Sequence, residues 1–179
     1  TGQVKAYTSE TPIELPAVEY TKEQLSELDQ RLNEFGEAVD RGETPETDLV
    51  LTADEINAMI GREEQLRNRV YVKIEEGRLS GDVSFPADGI PGGRGRFFNG
   101  SVTLGAAMED GELVVTFVDA EVNGTTVPQQ VIDAIADRNL ADEFNRDPET
   151  RETLSRFESV TVEEDQIVFK VQRAEATEE

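Results

Sequence analysis

The residues best suited to hold something lie together in Gly92-Gly93-Arg94-Gly95-Arg96-Phe97-Phe98-Asn99-Gly100. Glycines let neighbouring backbone N–H groups converge on an anion, and the two guanidiniums add charge and forked donors. Arg94, Arg96, Phe97, Phe98 and Asn99 are therefore the candidate ligand-binding residues. Nucleotide motifs do not fit them. The dinucleotide fingerprint requires Gly where Phe98 stands, and no Lys-Ser or Lys-Thr follows to make a phosphate loop. The mix of basic and aromatic residues has the look of an RNA-binding strand, but the charge of the whole chain opposes that use. The plainer expectation is a loop entering a strand, its arginines paired with nearby carboxylates.

A second set of groups able to do chemistry is the carboxylates. Two acids suffice for glycoside hydrolysis, and Asp82, Asp88, Asp119 and Glu121 flank strand-like segments. Sugar sites stack their ligands on aromatic rings, however, and this chain has no Trp and three Tyr. Solvated strand faces and turns are the ordinary reading of these four. Cys and His are absent, so thiolate nucleophiles, His-based triads and the common zinc motifs are out of reach. No EF-hand run occurs either. No catalytic residue, metal ligand or cofactor is expected. Asn99-Gly100-Ser101 and Asn123-Gly124-Thr125 match the glycosylation sequon, and each Asn-Gly also suits a turn or strand edge.

Charge narrows the partners. The chain carries 39 acidic against 17 basic residues, a formal net charge of -22, a field that repels nucleic-acid phosphates and anionic lipid surfaces. Nucleic acid is therefore not an expected partner. Arg exceeds Lys by 13 to 4, a bias shared with salt-adapted, acid-rich surfaces. Residues 62–107 run against the trend, because Arg62, Arg67, Arg69, Lys73, Arg78, Arg94 and Arg96 outnumber six acids there. An anionic contact, if the protein makes one, belongs to that segment.

The elements that must position these groups are legible in the spacing. Residues 1–20 contain Pro12 and Pro16 and read as an extended stalk, linker or strap across the domain. Thr21 and Gln24 form a capping box, Leu25, Leu28, Leu32, Phe35 and Val39 make one helical stripe, and Gly42 ends it. Thr52 and Glu55 cap a second helix that carries Ile56, Met59 and Ile60. The period then changes to alternation in Val70-Tyr71-Val72-Lys73-Ile74, which turns at Glu76-Gly77 and returns through residues 79–85. A second hairpin spans residues 97–107 and 113–122 around Asp110-Gly111, and Asn123-Gly124 is another turn. Pro128 opens a third helix with Val131, Ile132, Ile135 and Leu140 on its apolar side. Asp147-Pro148 starts a fourth, with Leu154 and Phe157 inward, and residues 160–162 and 167–171 close the chain as a hairpin. Residues 174–179 form a charged tail. The expected organisation is a single α+β domain over residues 21–173, with a curved antiparallel sheet of about six strands and helices packed on one face.

Leu49-Val50-Leu51-Thr52-Ala53-Asp54-Glu55-Ile56-Asn57-Ala58-Met59-Ile60 resembles the early L-T-x-x-E-I/L-N-x-L/I-I helix of YpmS-like proteins, uncharacterised bacterial envelope proteins. The later hairpins and the last strand pair follow in similar order, so the resemblance covers about residues 49–171. The Arg94–Phe98 loop and the helix at 148–157 fall outside it. The resemblance implies an extracytoplasmic domain behind an N-terminal membrane anchor preceding Thr1, with residues 1–20 as its stalk. It supplies no activity and no catalytic residues. The expected function is thus a non-catalytic domain that binds a protein partner or scaffolds a complex near the membrane. A carrier of a lipid-like apolar ligand held between sheet and helix is the alternative, with a carboxylate- or metal-dependent hydrolase behind it and the cytoplasm as the other compartment.

Overall fold

Three of the hairpins turn where the sequence offers two residues that tolerate a left-handed backbone. Glu76-Gly77, Asp110-Gly111 and Asn123-Gly124 all have positive φ at both positions, the geometry of the tight turn that matches strand twist. A computed structural model describes residues 2–64, 66–89, 91–129, 139 and 141–172. In chain order the elements are α1 (Gly2–Ala6), α2 (Lys22–Asp40), β1 (Leu49–Thr52), α3 (Ala53–Arg62), β2 (Val70–Glu75), β3 (Arg78–Pro86), β4 (Phe97–Glu109), β5 (Glu112–Val122), β6 (Thr125–Thr126), α4 (Asp142–Arg146), α5 (Pro148–Leu154), β7 (Phe157–Glu163) and β8 (Gln166–Val171).

The protein is α+β with antiparallel strands, and these strands divide between two sheets. One has five strands in the order β2-β3-β4-β5-β6, the other three in the order β1-β8-β7. The single sheet of about six strands expected from the sequence is split because β1 pairs with β8, Leu49 opposite Phe169 and Leu51 opposite Ile167. A four-residue apolar run gives no hint of a partner so far along the chain. Ile74 and Leu79 of the larger sheet pack with Val160 and Ile167 of the smaller one, so the two sheets face each other across an apolar layer. A second cluster closes one end of that layer. There Phe35 and Val39 of α2 and Leu154 of α5 meet Phe157 and Val171, with the Phe35 and Phe157 rings stacked at 5.3 Å.

Local chemistry explains the helices. Both expected capping boxes form, at Thr21 with Gln24 and at Thr52 with Glu55, each satisfying two otherwise unpaired N–H groups. Gly42, at φ 73°, stands just past the end of α2. The Gly42 amide donates to Val39 and the Glu43 amide to Ala38, which is the Schellman arrangement for leftover helix carbonyls. Asp147 caps α5, and Pro148 opens it. Phe157, expected on this helix, lies beyond its end at the start of β7. The expected third helix lies largely outside the described residues, as does the charged tail.

Two sheet edges are closed by side-chain amides. Asn57, 1% exposed on α3, donates Nδ2 to the Val72 carbonyl (2.8 Å) and accepts the Val72 N–H at Oδ1 (2.7 Å). One amide thus supplies both bonds a neighbouring strand would give β2. Beside β5, Asn145 does the same for the N–H and C=O of Leu113. Asn139 bonds the Val115 N–H and also the Leu113 carbonyl. No helix among the described residues is long and apolar enough to cross a membrane.

Candidate functional site

On the side away from β3, the start of β4 is a lane without a neighbouring strand, because β5 ends opposite Gly100, where Val122 pairs with it. The chain's own N-terminal segment fills that lane. Ser9 and Phe97 exchange both backbone hydrogen bonds at 2.8 Å, a one-residue strand pairing. The segment begins with the short α1 and then lies as a strap against the sheet. Thr8, the residue before the pairing, is 1% exposed.

Arg96 grips this strap. Its Nε donates to Thr8 Oγ1 and its Nη2 to the Thr8 carbonyl, both at 2.6 Å. Nη1 approaches Glu10 Oε1 at 3.5 Å. The Thr8 hydroxyl in turn donates to the Val4 carbonyl of α1. An exposed contact such as that with Glu10 is worth little on its own; the two short bonds at Thr8 fix the register. The guanidinium side chain is 17% exposed.

Asn99 reads the strap further along. Its Nδ2 donates to the Thr11 carbonyl (2.8 Å), and its Oδ1 accepts the Ile13 N–H (3.2 Å) and the Ser84 hydroxyl (2.7 Å). Pro12 sits between those two residues and has no N–H that would need a partner. Asn123, at the turn after β5, completes the lane. Its amide N–H donates to the Asn99 carbonyl, its Oδ1 accepts the Ser9 hydroxyl (2.7 Å), and its Nδ2 donates to the Ala6 carbonyl (3.2 Å).

Of the five candidate ligand residues, Arg96, Phe97 and Asn99 therefore converge, and what they hold is polypeptide. Phe98 pairs with Phe85 in the sheet, and Arg94 lies exposed in the preceding loop. That loop is tied by Asp88, whose Oδ1 accepts the Gly95 N–H at 2.9 Å. Asn99-Gly100 lies within β4. Gly100 is required there because a Cβ would stand 2.4 Å from the Glu121 carbonyl. Asn99 is buried, with its side-chain N and O both hydrogen-bonded, while Asn123 of the second sequon is exposed at its turn.

The carboxylates fall on the far face of the larger sheet. Asp82 sits opposite Ser101, which sits opposite Glu121, and Asp119 follows opposite Thr103. Asp82 accepts the Ser101 hydroxyl at 2.6 Å and pairs with Lys73 at 2.9 Å. The hydrogen bond to Asp82 pushes the Lys73 ammonium pKa up. The basic excess of residues 62–107 is thus partly used internally, since Arg62 also pairs with Asp29 of α2. Among the described residues no three acidic side chains cluster as a metal ion would need. An open cleft of about 430 Å³ lies between α2 and α5, lined by Leu32, Gly36, Glu37, Asp40, Glu149 and Thr153.

Sequence reasoning missed Asn123 as a strap contact, Ser84 as the hydroxyl that supports Asn99, and Asn57, Asn139 and Asn145 as edge caps. Asn57 alone left a signal, as the Asn of the helix motif. The class that fold and site define is a two-sheet α+β protein with a peptide-filled lane at the start of β4. No protein family, curated protein or solved structure matches the chain.

Proposed function

We propose that this chain is a non-catalytic extracytoplasmic domain that binds a protein partner near a membrane. The observation that supports the binding half is the lane at Arg96, Phe97 and Asn99. It meets polypeptide through two backbone bonds, a forked guanidinium and a side-chain amide. Such a set recognises an extended main chain through its peptide groups and one or two side chains. The placement near a membrane rests on the resemblance of residues 49–60 to the helix of anchored envelope proteins. The surface charge fits a protein partner better than nucleic acid or anionic lipid.

Photo-crosslinking in the cells that make the protein, with a reactive residue at Arg94 beside the lane, tests the reading. A reproducible protein adduct of defined mass is expected. Adducts no different from those of an exposed control position such as Thr161 would overturn it.

A further inference from the structure

We infer that the lane beside β4 is a peptide-recognition site held shut in cis by residues 8–13, and that release of this strap admits an extended segment of a protein partner with the same pattern. The inference rests on the partner-binding reading above and deepens it by naming the site and the class of ligand.

Three features carry it. The first is how the strap is held. Among the described residues, none from 2 to 20 belongs to either apolar cluster, and Ile13 is 40% exposed. The strap's bonds are directional and polar, at Thr8, Ser9, Thr11 and Ile13. Segments with few buried apolar contacts open locally at a small fraction of the global unfolding free energy. Residues 14–19, which join the strap to α2, have no regular structure and are mostly exposed, so opening there strains nothing else.

The second is what opening uncovers. The Phe97 N–H and C=O lose their strand partner, Asn99 loses two backbone partners, and Arg96 loses Thr8 and Glu10 together. Buried or half-buried peptide groups do not stay unpaired without cost. The open lane is thus a template for strand addition with a guanidinium at one end and an amide at the other.

The third is the ligand the lane already reads. Arg96 needs a hydroxyl and a carbonyl from one residue, as in Thr8, while an acid two positions on, as in Glu10, adds little. Phe97 needs the backbone of the residue between them. Asn99 needs a carbonyl three residues after the hydroxyl and an N–H five after it, and a proline between those two is accommodated. The ligand class is therefore an extended, hydroxyl-bearing peptide. A tethered segment competes at an effective concentration on the order of millimolar, so the strap sets a threshold that only a better-matched or locally concentrated partner passes.

The test uses the full chain and a labelled synthetic peptide of residues 4–13. Ser9→Pro removes the strap's N–H donor to Phe97 while leaving the lane intact. We expect the Phe97 amide to exchange with solvent at least tenfold faster in this variant, with the amides of Leu51 and Val171 unchanged. The variant should then bind the peptide at least tenfold more tightly than the unaltered chain, by fluorescence anisotropy. Adding Arg96→Ala should weaken that binding at least tenfold, as should replacing the peptide's Thr with Ala. Unchanged protection of Phe97 would overturn the releasable strap, and an exposed Phe97 without peptide binding would overturn the recognition site. If cellular crosslinks form at Arg94 but persist unchanged when Arg96→Ala is added, the lane fails alone. If the peptide binds and no cellular neighbour is trapped, the partner-binding reading fails and the lane stands.

Discussion

Around Phe157 the chain is held by apolar contact, and around Arg96 it is held by directional polar bonds. Phe157 is 2% exposed, stacks on Phe35 and touches the Phe169 ring at 5.2 Å. It brings α2, α5 and the smaller sheet into one cluster. Arg96 sits against Thr8 and Glu10 with no cluster around it. Apolar burial is additive over area and cares little about register. The polar lane is the reverse, contributing little net stability but fixing which peptide atom sits where. The molecule thus places rigidity at one end and selectivity at the other.

Phe157→Ala is the strongest way to break this contrast. Loss of a buried aromatic costs about 3–5 kcal/mol, a large share of the ~5–15 kcal/mol a domain of this kind possesses. Urea unfolding should show a midpoint drop of that size. A loss below about 1 kcal/mol would mean that the aromatic cluster is not what holds this end.

Asn57→Ala probes a case between the two, a polar contact that is buried. It leaves the Val72 N–H and C=O without their partner, and two such groups should cost about 2–3 kcal/mol in all. The same denaturant titration reads it, and exchange at the Val72 amide should rise with it. A neutral result would place water where the side chain was.

The smallest effect is the pH dependence of the outer sheet face. The hydrogen bond to Asp82 raises the Lys73 pKa in the folded state. Its contribution is therefore complete below the ordinary lysine range and is lost as pH rises through the elevated folded value. Melting temperature should fall slightly more steeply in alkali for the unaltered chain than for Asp82→Asn. Lys73 is 37% exposed and Asp82 21%, so solvent screening keeps this below the other two. Parallel curves would show that the pair contributes nothing.

Much of the framework was legible in the sequence, and the reason is range. Capping boxes at Thr21 and Thr52, the stripe from Leu25 to Val39 and the three left-handed turns all depend on residues within a few positions of each other. What was not legible is long-range. Nothing near Leu49 announces a partner at Phe169, so one sheet was expected where two exist. Asn99 and Thr11 lie 88 positions apart, and Arg96 and Thr8 equally so. Composition picked out the gripping residues but suggested an anion, because a guanidinium suits a carbonyl and hydroxyl as well as a phosphate. Asn99-Gly100 falls within the strand expected over residues 97–107, but nothing local shows that β5 brings the Glu121 carbonyl against Gly100.

The side-chain amides of Asn57, Asn139 and Asn145 carry a consequence for the protein at high concentration. A strand with open N–H and C=O groups recruits other chains into growing stacks, and natural proteins blunt such borders. Here the blunting is done by three asparagines that imitate one rung of a missing strand, adding neither charge nor proline. The border of β2 therefore depends on Asn57 and that of β5 on Asn139 and Asn145 together, and replacing them should turn the protein toward fibrils before it turns it toward unfolding.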